Sequence, residues 1–406
     1  MANAILTPTA VTREVARVLH QKLNFIGTID RQYDDSFAKS GARIGDSLKI
    51  RLPNEYVVRT GATMSAQDTV ETSETLQVST QKGVDLSFTS VDLTLSLDDF
   101  SKRIIEPATS VLAAAIEADA MSMYEDVYNE ISDVGATATT NLALQVQKKL
   151  TDSLAPISPR CLNMPTQYNV DLLEAVKGQF NDQSKIGKNY REGMVAPNFL
   201  GFEHVYQNTL WPIHTTGTDD GTGDYLVNDA GTIAQGSTSL TVDTGAGTWV
   251  KGDIFTIVGV NRVHPETKSN TGELQRFVVT ATTGTSATTL SFSPALNTTG
   301  GRQNVAAMPA NNAAIFKLES DGATAIGSGA DYSVAMGYHK DAFAFATADL
   351  VMPQGVDFKA REVVDGISVR LVRDYDISSD AMPCRLDILY GYKTVRPQLA
   401  CRLGLH

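Results

Sequence analysis

The stretch that most limits what this chain can become lies between residues 46 and 132, where an alternating ribbon runs into a long helical pattern. Over residues 46–59, Leu48, Ile50 and Leu52 point one way and Lys49 and Arg51 the other, the period-two signature of a half-exposed strand. Residues 60–74, with Gly61, Ser65, Asp68, Glu71 and Glu74, carry few apolar groups and read as a polar tip. Alternation returns over 75–88 through Leu76, Val78, Val84, Leu86 and Phe88, so 46–88 is predicted to be one long hairpin. A two-stranded ribbon is marginal alone in water. This one must lie against its own core or against a neighbouring subunit. Val91, Leu93 and Leu95 continue the alternation, and Leu97-Asp98-Asp99-Phe100 reads as a helix start, with acids suited to the positive end of the helix dipole. Pro107 is tolerated in a first turn, and nothing breaks the helix from there to Ser132. Leu112, Ile116, Met123, Val127 and Ile131 form its apolar stripe, beside Ala113 to Ala115 and Ala120. Its 26 residues would make a rod of about 39 Å.

The remainder divides by composition. Val15, Leu19 and Leu23 give residues 11–23 one buried helical stripe. Pro165-Thr166 opens a helix over Val170 to Val176, within a region of short helices and strands. Residues 215–224, rich in Thr, Gly and Asp, read as a flexible joint. Beyond it, residues 225–312 hold ten charged side chains in 88, half the density of the chain as a whole at 20%. Ser239–Val242, Asp253–Val258, Phe277–Thr280 and Thr289–Phe292 are strand patterns between turn signals, predicting a small inserted all-β domain. Ile367, Val369 and Leu371, then Leu386, Ile388 and Tyr390, predict closing antiparallel strands.

Bulk properties exclude several classes. No run of about eighteen apolar residues offers a transmembrane helix. The opening Met1-Ala-Asn-Ala-Ile-Leu-Thr-Pro8 has no basic start followed by an apolar core, so the expectation is a protein made and kept in a cytoplasm. Cys161, Cys384 and Cys401 are far apart and fit free thiols in a reducing compartment. The net charge is −12, and no basic cluster offers a grip on phosphates. The sequence argues against tight DNA binding.

Motifs for chemistry are weak. Gly45-Asp46-Ser47-Leu48 matches the nucleophile block of the GDSL hydrolases, yet none of His20, His204, His214, His264, His339 and His406 follows an Asp by three residues, as that family's base does. The block also opens a strand, where a turn into a helix is needed. Asp219, Asp220 and Asp224 sit in a Gly-rich loop without Ca²⁺-loop spacing. Gly245-Ala-Gly247 and Gly327-Ser-Gly329 lack the remainder of a phosphate or dinucleotide loop. We expect no catalytic residue, no metal site and no cofactor.

In order, the segments resemble the major coat proteins of tailed bacteriophages. Three stretches carry a closer similarity to the P22-like coat proteins of podophages. Gly201-Phe-Glu-His-Val205 with Leu210-Trp-Pro-Ile213 resembles the approach to an insertion. Lys251 to Asn261 resembles the insertion's central strand pair. Leu389-Tyr-Gly-Tyr392 with Arg396-Pro397 resembles the family's C-terminal signature. The resemblance implies an α+β Hong Kong 97-type capsid fold. Its parts would be an N-terminal arm (1–45), an E-loop hairpin (46–88), a peripheral domain with a spine helix (89–140), and an axial domain in two parts (141–223 and 313–348). An inserted β-barrel-like domain would occupy 224–312, and peripheral C-terminal strands 349–406.

It further implies a major capsid protein that assembles with itself into the hexamers and pentamers of an icosahedral shell around double-stranded DNA. A scaffolding protein and a portal would assist, a decoration protein is a further partner, and DNA would be enclosed without specific binding. The protein would sit in the virion capsid, and in the host cytoplasm during assembly. Under this reading Arg51, Glu55, Arg59, Glu71, Asp98, Asp99, Lys102, Arg103 and Glu106 are intersubunit contact candidates, setting register more than strength. The alternatives are another phage structural subunit, a tail tube or head decoration, and a GDSL-type serine hydrolase. A long helix argues against a tail tube.

Overall fold

The computed structural model describes residues 12–18, 23–33, 46–64, 66–67, 71–89, 106–176, 198–218, 225–229, 233–317, 329–356, 358–364, 367–377 and 381–405. Residues 12–18 form helix α1 and Phe25–Thr28 the single turn α2. Then come β1 (Asp30–Tyr33), β2 (Asp46–Arg51), β3 (Ser73–Val78), β4 (Thr80–Thr89), α3 (Glu106–Met121), β5 (Glu130–Asp133), α4 (Thr140–Asp152), β6 (Arg160–Met164) and α5 (Thr166–Val176). Strands dominate the second half of the chain: β7 (His204–Gln207), β8 (Ile213–Thr215), β9 (Tyr225–Val227), β10 (Ser237–Asp243), β11 (Ile254–Val263), β12 (Asn270–Val279), β13 (Thr289–Leu296) and β14 (Ala314–Lys317). The chain closes with β15 (Asp331–His339), β16 (Phe343–Ala348), β17 (Phe358–Val364), β18 (Ile367–Arg373), β19 (Ala381–Thr394) and β20 (Ala400–Leu405).

The chain forms two compact units. The first comprises Met1–Arg51, Ser73–Met121 and Phe343–Val395. Its sheet runs β1-β16-β19-β18-β17. The long β19 is its centre, pairing with β4 along Ala381–Tyr390, with β18 over Cys384–Asp387 and with β16 over Leu389–Thr394. Alternation explains why: Leu386, Ile388 and Tyr390 are buried. Asp387 is buried too, and its two oxygens are met by Arg370 at 2.6 Å and Arg385 at 2.7 Å. Helix α3 packs on β4 and α2 and buries Leu112, Ile116 and Ala120. Its buried Glu117 accepts hydrogen bonds from the Asn24 and Phe25 backbone N–H groups at 3.0 and 2.6 Å, satisfying orphan donors at the start of α2. Tyr390 donates to Asp119 at 2.5 Å, and Lys82 pairs with the same carboxylate at 2.7 Å, which ties α3 to β4 and β19.

The second unit comprises Leu52–Thr72, Ser122–Ala342 and Arg396–His406. A sheet of order β5-β20-β15-β6-β7, with β8 added to β15, forms its centre and carries α4. Strands β9 to β14 close into a barrel of order β10-β13-β12-β11-β14-β9. Inside it, Phe255 stacks on Phe277 at 5.5 Å, Phe292 meets Phe277 edge-on at 5.2 Å, and Trp249, Leu240, Val279 and Ile315 complete the core.

Several expectations are corrected. The 107–132 helix ends at Met121; Ser122–Asp126 is a 3₁₀ turn, and Glu130–Asp133 is a strand parallel to β20. Met123, Val127 and Ile131 are buried as their spacing implied, but Ser122 and the acids Glu125 and Asp126 are poor continuations at a helix C-terminus, and β20 takes the segment. The hairpin is shorter than 46–88: β2 pairs with β3 only to Val78, and Thr80–Thr89 turns away to pair with β19, because Val84 and Leu86 find a larger sheet there. The barrel extends past residue 312, since β14 is needed to close it. The 313–348 segment divides between barrel, central sheet and first unit, and β20 leaves the closing strands for the second unit. Lys251–Asn261 is a turn and most of one strand, not a strand pair. Residues 90–105, including the 97–100 helix start and the alternation from Val91 to Leu95, and Asp219, Asp220 and Asp224, lie outside the described residues.

Candidate assembly interface

The ribbon is rooted in the first unit. Strands β2 and β3 pair in register, Leu48 opposite Leu76 and Ile50 opposite Glu74. Leu76 and Val78 are buried, and β3 packs against β16 and β19. The crossing works because residue 391 is glycine: a Cβ there would collide with the Gln77 carbonyl oxygen. Thus the Gly391 of the Leu389–Tyr392 signature seats the base of the ribbon.

The described residues of the tip, 52–64, 66–67 and 71–72, are held by their own polar groups. The Leu52 N–H donates to the Thr72 carbonyl at 2.8 Å, extending the ladder by one rung. Beyond that the side chain of Gln67 substitutes for a strand: its Oε1 accepts from the Val57 N–H at 2.9 Å and its Nε2 donates to the Val57 carbonyl. Arg59 donates to the carbonyls of Gly61 and of Thr63, the latter at 3.0 Å. The Glu55 backbone lies against Gly301 closely enough that any Cβ at 301 would strike the Glu55 carbonyl. An ordered backbone therefore presents Val58 (87% exposed), Met64 (81%) and the exposed Tyr56 and Val57 to solvent.

The nine contact candidates fall in three groups. Arg51, at the end of β2, and Glu106, the first residue of α3, belong to the first unit. Glu106 lies at the positive end of the α3 dipole and lends a minor attraction to Arg17, whose pKa is raised first by its hydrogen bond to Glu14. Glu55, Arg59 and Glu71 belong to the second unit and are exposed. The charge of Glu55 favours protonated Lys268, whose pKa burial otherwise lowers, while Arg59 is engaged in bracing its own loop. Asp98, Asp99, Lys102 and Arg103 lie outside the described residues. Ser47 of the hydrolase-like block sits in regular strand opposite Gln77.

Two polar clusters of the second unit were not foreseen from the sequence. In the first, buried Arg402 on β20 pairs with Glu130 on β5 at 2.6 Å and donates to the Gly252 carbonyl, in the turn before β11, at 2.8 Å. Tyr332 donates to Glu130 at 3.3 Å. His214 contacts Asp253 at 3.0 Å and the Tyr124 hydroxyl at 3.1 Å, and Asp253 also accepts from the backbone N–H groups of Gly217 and Val250. Burial opposes the Arg402 charge, but Glu130 and its neighbours more than offset this and its pKa rises. Burial pushes Tyr124 up to about 12 and Tyr332 well above its ordinary value. In the second cluster, Glu273 on β12 receives Lys149 at 2.7 Å and Lys148 at 3.2 Å from α4, and Arg262 on β11 donates to the Asp152 carbonyl at 2.7 Å. The first cluster joins the turn before β11 to the central sheet, and the second joins barrel strands to α4. Their members are scattered between residues 124 and 402, so no local motif marks them. The available hints were Asp253 in a charge-poor stretch and Arg402 in an apolar strand.

Among the described residues no three His, Cys, Asp or Glu side chains gather as a metal site. The three cysteines are free and buried, and burial raises Cys384 to about 11 and Cys401 to about 12.

The chain is similar to one protein family and to several solved structures. The family described as P22 coat protein, gene protein 5, matches residues 7–403. No curated protein sequence matches. Similar solved structures include one from Mycobacterium phage Che8, 12% identical, covering 91% of this chain and 88% of that one at a TM-score of 0.42. Another is the mature capsid of bacteriophage PhiM1, 10% identical, covering 94% and 87% at 0.45. The CUS-3 coat protein I-domain is 32% identical, covering 26% of this chain and 94% of that one at 0.18. The family match runs through both compact units and the barrel, and this chain belongs to the P22 coat protein family.

Proposed function

We propose that this chain, a major capsid protein whose copies form the phage head shell, makes part of its shell contacts through the ribbon tip at residues 52–72. The observation that carries the assignment is the tip itself: a backbone braced by Gln67 and Arg59 that leaves Val58 and Met64 almost wholly in water. Ordering a loop costs conformational entropy, and exposing large apolar side chains gains a lone subunit nothing. Both make sense if the tip is covered by a second copy. Glu55, Arg59 and Glu71, exposed on the same segment as Val58 and Met64, then select register, and Arg51, Asp98, Asp99, Lys102, Arg103 and Glu106 are further contact candidates from their place in the sequence. Exposed ion pairs contribute only about 0.2–1 kcal/mol each, so burial of the tip supplies the attraction and the charges supply orientation.

The work is structural, without catalysis. Each copy carries a net charge of −12, so copies repel, and packaged DNA is repelled with them; salt screens this beyond about 10 Å at 0.1 M. Many modest contacts let misplaced subunits leave before the shell closes. Assembly proceeds in the host cytoplasm with a scaffolding protein and a portal, through hexamers and pentamers, and a decoration protein is a further partner of the finished shell.

The test is removal of residues 62–73. The shortened subunit is expected to fold and to give few or no shells by electron microscopy, alone or with a scaffolding protein, under conditions where the intact chain assembles. Normal shells would remove the tip from the assembly contacts.

A further inference from the structure

We propose that the loop between α4 and β6, residues 153–159, is a second self-association knob, with Leu154 and Ile157 as its contact side chains and another copy of this chain as its occupant; this rests on the capsid reading above. The loop is braced from two sides. Buried Arg160 donates from Nε to the Pro156 carbonyl at 2.7 Å, from one terminal nitrogen to the Ala155 carbonyl at 2.6 Å, and from the other to the Thr151 hydroxyl at 3.0 Å. Arg262 of the barrel holds the loop's root through the Asp152 carbonyl at 2.7 Å and the Ser153 hydroxyl at 3.1 Å. On this fixed backbone Ile157 stands 80% exposed and Leu154 43% exposed.

A second observation is independent of exposure. Helix α4 ends in a Schellman-type turn: the Leu154 N–H donates to the Thr151 carbonyl at 2.9 Å and the Ala155 N–H to the Leu150 carbonyl at 2.9 Å. Leu154 occupies the left-handed position of that turn, at φ 57°, where glycine is the unstrained choice. A half-exposed leucine there strains the subunit and adds little to its core. The strain is understandable if the side chain is used after assembly.

Charge identifies the occupant. Residues 153–159 contain no charged side chain, in a chain whose copies each carry −12. The acid at its edge, Glu203, accepts from the Ser158 hydroxyl at 2.5 Å, and an apolar knob with no charge of its own suits contact between like-charged copies.

Three full-length variants test the knob under conditions where the wild-type chain assembles. Ile157→Asp is expected to melt like wild type as a subunit and to need a concentration at least about tenfold higher to form shells. Leu154→Gly is expected to melt at or above the wild-type temperature and still to assemble less well, a split that a merely structural role would not produce. The thiol of Ile157→Cys should react with a maleimide in the subunit and be protected in the shell; the native cysteines are buried. Wild-type assembly by Ile157→Asp, or equal thiol reactivity before and after assembly, overturns the knob alone. Failure of the wild-type chain to form shells at all overturns the capsid reading and the knob with it.

Discussion

Arg402 and Glu130 meet at 2.6 Å with both side chains sealed from solvent, so two adjacent strands of the central sheet are joined by a buried ion pair. Desolvating two charges nearly cancels their attraction, and the pair as a unit adds little stability; breaking it strands one charge. Arg402→Met or Glu130→Leu alone is therefore expected to destabilise the subunit by about 3–5 kcal/mol, and the double variant by less than the sum. Urea titrations of the four proteins give the coupling energy. Strict additivity would mean that the two groups act independently.

The clamp at Glu273 makes part of the stability depend on acid. Its hydrogen bond from Lys149 is the first cause holding the carboxyl down to about 2 from an ordinary 4.5; burial opposes and Lys148 assists. A carboxyl whose folded pKa is depressed stabilises the fold fully above its unfolded value, and that stability disappears as pH falls from about 4.5 through about 2. The side chain is 41% exposed, so solvent screening limits the effect to about 1 kcal/mol or less. Glu273→Gln should flatten the fall in melting temperature between pH 5 and pH 2. Parallel wild-type and variant curves would show that the clamp contributes nothing there.

How far the sequence foretold this fold depended on distance along the chain. Period-two alternation located β2, β18 and β19, because side-chain direction is a local property of a strand, and the composition drop after residue 224 located the barrel. Pairing is not local. Val84 and Leu86 alternate equally well as the return arm of a hairpin or as the neighbour of β19, and only the larger sheet decides. Met123, Val127 and Ile131 recur every fourth residue and yet lie in a 3₁₀ turn, a connecting segment and a strand. For the proposed contacts, the sequence offered charged residues such as Arg59, which braces its own loop; the exposure of Val58, Met64 and Ile157 was not legible, since an exposed apolar side chain cannot be told from a buried one without coordinates.

Gly391 offers a sharp check on the ribbon's root. A methyl group there would meet backbone at Gln77, which cannot rotate aside. Gly391→Ala is expected to cost about 1–3 kcal/mol by overpacking and to loosen β3 from β19. Hydrogen exchange should report faster amides over Ser73–Val78. Unchanged protection would mean that the sheet absorbs the methyl without moving the ribbon.

The ribbon tip separates folding from assembly most cleanly. Val58 and Met64 touch little in the subunit, so Val58→Asp and Met64→Asp should leave subunit stability within about 0.5 kcal/mol of wild type. In a shell the same carboxylates would be buried without partners, which costs several kcal/mol, and contacts repeated over many copies multiply the penalty. Thermal melts of the subunit should therefore superimpose while light scattering shows assembly delayed or abolished. Conservative Val58→Ile and Met64→Leu should assemble normally, because they keep the apolar surface. Loss of assembly in the conservative pair as well would show that side-chain shape, rather than apolar burial, governs the contact; full assembly by both aspartate variants would show that the tip stays wet in the shell.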